Sequence, residues 1–215
     1  MVQQLNDLRS TVAKEACNFV VWLSREFPQE FAQHSIKQAA ISDPSFSGSA
    51  QPLAITTGGG NGVRYFRDDA LFKLIASGNK TLSDMGNQAI VDILEFNGSI
   101  SKIIPHLCSQ IHSKNTLVRL RTAQYFQTVM KNSSSFTIEA NSELIELFLI
   151  NATDDQNQEV RNQGRLCFAI YRHLLKDQST LLLMHGIKST TVRKSIIQEL
   201  GLDQAQLSQE LNRIE

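Results

Sequence analysis

A helical pattern that returns along the chain limits its fold more than any other feature. Four stretches share it: LRSTVAKEACNFVVWL from Leu8, LSDMGNQAIVDILEF from Leu82, VRLRTAQYFQTVM from Val118 and VRNQGRLCFAIYRHL from Val160. A shorter fifth, VRKSIIQEL, starts at Val192. Each opens on an aliphatic residue, and in four of the five an arginine follows: Arg9, Arg119, Arg161 and Arg193. Apolar or small residues then recur every three to four positions, the period of an amphipathic α-helix and not of a strand. The faces expected to be buried are Leu8, Val12, Ala16, Phe19 and Leu23 in the first stretch and Val118, Thr122, Phe126 and Val129 in the third. In the fourth they are Val160, Gly164, Phe168, Tyr171 and Leu175.

Complementary helices are expected between these stretches, over Ile100–Ile111, Glu139–Ile150 (with Leu144, Leu147 and Phe148 apolar) and Thr180–Ile187. The anchors Leu82, Val118, Val160 and Val192 lie 36, 42 and 32 residues apart. HEAT-type helical hairpins recur at about 40–47 residues. The gap of 74 from Leu8 to Leu82 is the outlier, and it holds Ser42–Asp68 with a Gly59-Gly60-Asn61-Gly62 run. Loops of that length are uncommon inside compact domains. Without residues 42–69 the gap falls to 46, so the segment reads as a flexible insertion; a degenerate half-repeat is the alternative. The flanks, FAQHSIKQAAI and ALFKLI, read as pieces of one repeat's first helix. The expected fold is an all-α HEAT-repeat solenoid of about five hairpins. A lone hairpin cannot bury its apolar face, and a row of them shares one continuous core.

Composition narrows the function. Lys plus Arg and Asp plus Glu are 21 each, without the positive excess a general nucleic-acid binder needs. The N-terminus, MVQQLNDLRS, has no apolar signal region, and no stretch is long and apolar enough for a membrane span. A cytoplasmic location is expected. Cys17, Cys108 and Cys167 sit apart in helical patterns and read as buried thiols, and Trp22 as buried packing.

No motif for catalysis, cofactor or metal stands out. Gly58–Gly62 lacks the G-K-[ST] ending of a phosphate loop. His106, Cys108 and His112 share no zinc-site spacing with a fourth ligand. Asp154 and Asp155 precede a helix and suit its N-terminus. The chain therefore reads as a binding protein, not an enzyme.

Arg9, Arg119, Arg161 and Arg193 have two compatible roles. A guanidinium at the start of a second helix can bind carbonyls or carboxylates of the neighbouring repeat, or it can present positive charge to an acidic partner. Lys80, Lys114, Asn115, Arg121, Asn157, Asn162 and Lys188 lie near the same loops and are the purer surface candidates.

DLRSTVAKEACNFVVWLS from Asp7 resembles the second-repeat helix of TOG domains in the CLASP family of microtubule-associated proteins. LVRLRTAQYFQTVM from Leu117 and EVRNQGRLCFAIYRHL from Glu159 are similar to later repeats of those domains. The resemblance implies one TOG-like domain over residues 1–215, with loops inside each repeat that bind αβ-tubulin or microtubules at the cytoskeleton: spindle, kinetochore, cortex or cilium. It places the loops near Asn6–Arg9, Lys80–Ser83, Lys114–Arg119 with Arg121, Asn157–Asn162 and Ile187–Arg193. No match to the first TOG repeat, with its apolar loop anchor, is present in the chain. A TOG-derived scaffold for another protein, or for self-association, is the alternative that this departure implies.

Overall fold

The computed structural model describes residues 10–26, 70–96 and 103–214. These residues are helical, with no strand among them. In chain order the helices are α1 (Ser10–Glu26), α2 (Ala70–Ile75), α3 (Lys80–Phe96), α4 (Ile104–Gln110), α5 (Thr116–Asn132), α6 (Ser135–Glu139), α7 (Ser142–Thr153), α8 (Gln158–Leu174), α9 (Lys176–Leu181), α10 (Thr190–Glu199) and α11 (Gln204–Ile214). A π turn, Leu182–Gly186, continues α9. The fold is all-α and HEAT-like, built of helix pairs joined by short loops. Two compact units form, Met1–Lys102 and Ile103–Glu215. The expected insertion, Leu8, Arg9 and the FAQHSIKQAAI flank lie outside the described residues.

In the first unit α3 packs against both α1 and α2. Its contact with α2 is close because Gly86 faces that helix: a Cβ there would stand 2.8 Å from Leu74 Cβ and 3.1 Å from the Leu71 carbonyl oxygen. α1 differs from its expected orientation. Ala13, Ala16, Cys17, Val20 and Ser24 are buried, whereas Phe19 and Trp22 are 40% and 47% exposed. Small side chains let two helices approach closely, so α1 turns its small face inward and leaves the large rings outside.

In the second unit α5 packs on α8, α4 on α5, and α7 on α8 and α4. Phe126 and Phe148 stack at the centre with ring centroids 4.1 Å apart, among buried Val129, Ile145, Phe168 and Tyr171. The expected faces of the third and fourth stretches are buried throughout.

The helix expected over Glu139–Ile150 is broken at Ala140–Asn141, where the Asn141 side-chain amide donates back to the Thr137 carbonyl at 2.8 Å. This break sets the phase of α7, so Ile145, Phe148 and Leu149 point inward while Leu144 and Leu147 are exposed. The one helix expected over Thr180–Ile187 is instead α9 plus the π turn. Ile187 N–H reaches the Leu182 carbonyl at 2.9 Å, and Gly186 leaves room for the Leu182 side chain, which a Cβ would meet at 2.6 Å. Cys17 and Cys167 are buried, but Cys108 is only half-buried, and its thiol donates to the Leu144 carbonyl at 3.3 Å.

The C-terminal helix α11 is tied to α8 and α9 by Glu210, and to α9 also by Arg213 on Asp177 at 2.8 Å. Glu210 accepts from Arg172 at 2.8 Å and Thr180 at 3.1 Å and pairs with Lys176 at 2.6 Å. The hydrogen bond from Lys176, opposed by burial and joined by those from Arg172 and Thr180, lowers its pKa from 4.5 to about 2. A carboxylate whose pKa is depressed on folding stabilises above its unfolded value and loses that contribution as pH falls through the folded one. The clamp is therefore expected to weaken between pH 4.5 and about 2. Glu210→Gln should lower the urea midpoint at pH 7 by the equivalent of about 1 kcal/mol and leave a smaller difference from wild type at pH 2–3. An equal difference at both pH values would refute this account of the clamp.

Candidate functional site

The loop that opens each hairpin's second helix is built the same way. Before α5, Asn115 Oδ1 accepts from the amides of Leu117 at 2.9 Å and Val118 at 3.4 Å. Before α8, Asn157 Oδ1 accepts from Glu159 at 2.9 Å and Val160 at 3.3 Å. Before α3, Asn79 Oδ1 accepts from Thr81 at 3.0 Å and Leu82 at 3.4 Å. Ser189 caps α10 through the Val192 amide at 3.4 Å. Such caps satisfy otherwise orphaned amides and contribute about 1 kcal/mol each. Three residues after each cap sits the aliphatic anchor. Leu82, Val118 and Val160 are fully buried and Val192 half-buried. Cap and anchor together fix where each loop ends.

The residue after the anchor turns back and grips the loop. Arg119 Nη1 donates to the Ser113 carbonyl at 2.9 Å and lies 3.5 Å from that of Lys114. Arg161 Nη1 donates to the carbonyls of Asp155 at 2.7 Å and Gln156 at 2.9 Å, and its Nη2 bonds the Gln158 side chain. Arg193 reaches further back, to the Met184 carbonyl at 3.2 Å. In α3 the place is taken by Ser83, whose buried hydroxyl donates to the Ile75 carbonyl at 2.9 Å. The carbonyls that Arg119, Arg161 and Arg193 hold belong to their own hairpins, not to the neighbouring repeat as expected.

Asp155 joins two consecutive loops. Arg119 binds it in a fork, Nε to Oδ2 at 2.7 Å and Nη2 to Oδ1 at 3.1 Å, and the Asn157 amide adds a bond to Oδ1 at 2.8 Å. The Asp155 side chain is 8% exposed and that of Arg119 13%. Burial alone would raise the Asp155 pKa, but the hydrogen bonds from Arg119 and the Asn157 amide, with the charges of Arg119 and Arg161, hold it below the usual carboxylate range. The hydrogen bond to Asp155 pushes the Arg119 pKa up. Proximity to the next helix N-terminus accounts for only part of this residue; its main partner is an arginine 36 residues away.

The remaining candidates divide. Lys114 and Lys188 are exposed beside their loops in the second unit, and Lys80 is exposed in the first. Asn115 and Asn157 serve as caps. Asn162 is exposed, but its Oδ1 accepts from Gln158 at 2.7 Å and Arg165 at 2.6 Å. Arg121 is half-buried one turn into α5, with Nη1 donating to Gln124 at 3.0 Å. Arg9 lies outside the described residues.

A set of loops held by caps, anchors and inward-turned side chains, with lysines left outside, defines a HEAT-type binding scaffold. The chain belongs to the CLASP N-terminal family, whose model matches residues 68–197. That family is one of microtubule-associated, TOG-like binding domains rather than enzymes. The chain is also similar to an uncharacterized protein of Dictyostelium discoideum, at 23% identity over 215 residues covering 98% of this chain and 22% of the relative. It thus spans less than a quarter of that relative's length. No helix among the described residues is long and apolar enough to cross a membrane.

Proposed function

We propose that this chain is a tubulin-binding module that regulates microtubule dynamics through its intra-repeat loops, at the cytoskeleton in the cytoplasm. The observation that carries this reading is the division of labour in the loops. Arg119 and Arg161 are drawn onto loop backbone, while Lys114 and Lys188 face solvent on the loops ahead of α5 and α10. Loops fixed in this way present charge with little ordering cost on binding. Exposed lysines suit an acidic protein surface, and steering by such charges weakens with salt.

Lys114→Glu and Lys188→Glu, singly, are expected to weaken binding to soluble αβ-tubulin about fivefold each, from about 1 kcal/mol per rim charge, without changing the melting temperature. Fluorescence anisotropy at two salt concentrations reads this. Unchanged affinity in both variants would remove the loop edge as the tubulin contact. A second reading, a TOG-derived scaffold that no longer binds tubulin, is favoured by apolar side chains exposed elsewhere, Phe136 at 78% and Leu147 at 58%.

A further inference from the structure

The loops ahead of α5 and α8 are tied together by a carboxylate, and those ahead of α8 and α10 are not. Arg119 closes the first pair with its Nε and Nη2 on Asp155, which stands two residues before the cap Asn157. Two residues before the next cap, Ser189, the chain places Ile187, an apolar and buried side chain. Arg161, the counterpart of Arg119, therefore meets no carboxylate from the loop that follows. Its Nη1 holds the Asp155 and Gln156 carbonyls, its Nη2 bonds only the neutral Gln158 side chain, and its Nε has no hydrogen-bond partner among the described residues.

Arg161 lines an open cleft of about 480 Å³ together with Thr191 and Ser195, which lie one turn apart on one face of α10. Thr191 is exposed, and its hydroxyl has no hydrogen-bond partner among the described residues. Two other charges of the cleft are already engaged: Arg165 pairs with Glu199 and bonds Asn162, and Asp155 is held by Arg119. Exposed Asp154 is the one lining group left to oppose an anion there.

We propose that Thr191 is a phosphorylation site whose phosphate is held by Arg161, so that the modification supplies between α8 and α10 the anion that Asp155 supplies between α5 and α8. A protein kinase transfers the γ-phosphoryl group of ATP to Thr191 Oγ1. The new Oγ1–P bond forms as the bond to the bridging oxygen breaks, ADP leaves, and the hydroxyl proton passes to the kinase's base. Exposed Lys188 and Lys194 lie three residues to either side of Thr191 and suit a kinase with an acidic substrate groove. The product carries a charge of about −2 at pH 7 and three acceptor oxygens, which a guanidinium fork matches. This inference is independent of tubulin binding, and its test contains no tubulin.

Phosphothreonine installed at position 191 of the full chain during translation should raise the melting temperature by about 2–4 °C over the unmodified chain. In Arg161→Ala, which starts lower because its loop bonds are lost, the same modification should bring little of that gain, so the comparison is made within each background. Unmodified chain treated with ATP and protein kinase C, which accepts basic residues on both sides of its target, should carry phosphate on Thr191 when its peptides are mapped by mass spectrometry. No gain on modification overturns the proposal. So does an equal gain with and without Arg161, which would assign the effect to the end of α10 alone, and so does phosphate on other hydroxyls with none on Thr191.

Discussion

Gly164→Ala will destabilise the second unit by about 2 kcal/mol or more, even though alanine is the better helix former. At an exposed helical site this substitution gains about 1 kcal/mol. At Gly164 the added Cβ would stand 2.7 Å from the Ala152 carbonyl carbon, 2.8 Å from its oxygen and 2.9 Å from the Thr153 nitrogen. All three are backbone atoms of α7, so no side chain can move aside. The helices must separate, loosening the packing around Phe148 and Phe168, and such overpacking costs about 1–3 kcal/mol or more. Urea denaturation followed by circular dichroism decides the sign. A stabilised variant would mean that α7 and α8 do not approach as described. Gly86→Ala should destabilise the first unit in the same way, because the added Cβ would stand 2.8 Å from Leu74 Cβ and 3.1 Å from the Leu71 carbonyl oxygen, neither of which can swing aside.

The second large effect is expected at the joint between loops. Arg119→Ala should cost about 3 kcal/mol, within the range for breaking a buried ion pair, because it leaves the Asp155 carboxylate 8% exposed with its main partner gone. Asp155→Ala should cost about as much, and the double variant far less than the sum, with a coupling of about 2 kcal/mol. The pH dependence has a definite sign. Asp155 titrates below its ordinary value in the wild type, and losing Arg119 would raise that pKa. The penalty in Arg119→Ala should therefore shrink in acid, as the carboxylate takes up its proton in the variant before it does in the wild type. Additive single effects, with no change in acid, would show that the two side chains do not depend on each other.

Much of the all-α, HEAT-like class was legible in the chain because the i+3/i+4 spacing after Val118 and Val160 has no strand-like reading. It failed where apolar residues occur on more than one face. In α1, Ala13 and Ala16 took the interior and Phe19 stayed outside, because small side chains let the helix approach its neighbour closely. In α7 the break at Asn141 reset the phase and sent Leu147 outward. Both outcomes depend on neighbours that local periodicity does not contain.

The loops were legible in part. The recurrence of arginine after the anchor located Arg119, Arg161 and Arg193, but the carbonyls they hold lie in their own hairpins and not in the neighbouring repeat. The Asp155 carboxylate as the partner of Arg119 was missed because it lies 36 residues away. Other cross-hairpin bonds repeat that spacing: Cys108 to Leu144, Gln127 to Gln163 and Asp177 to Arg213. Scoring complementary residue pairs at an offset of 36 residues would have found it. Ser83 was hidden for another reason, since a hydroxyl replaces the guanidinium and breaks the pattern while donating to the carbonyl of Ile75 at the end of α2.

The most direct test of the central claim is titration of the purified chain against soluble αβ-tubulin at low and physiological salt, with complex size read by light scattering. The account predicts a salt-sensitive 1:1 complex that Lys114→Glu weakens while the melting temperature stays unchanged. No complex at tens of micromolar from a folded, monodisperse sample would contradict it and assign these loops to a different protein partner.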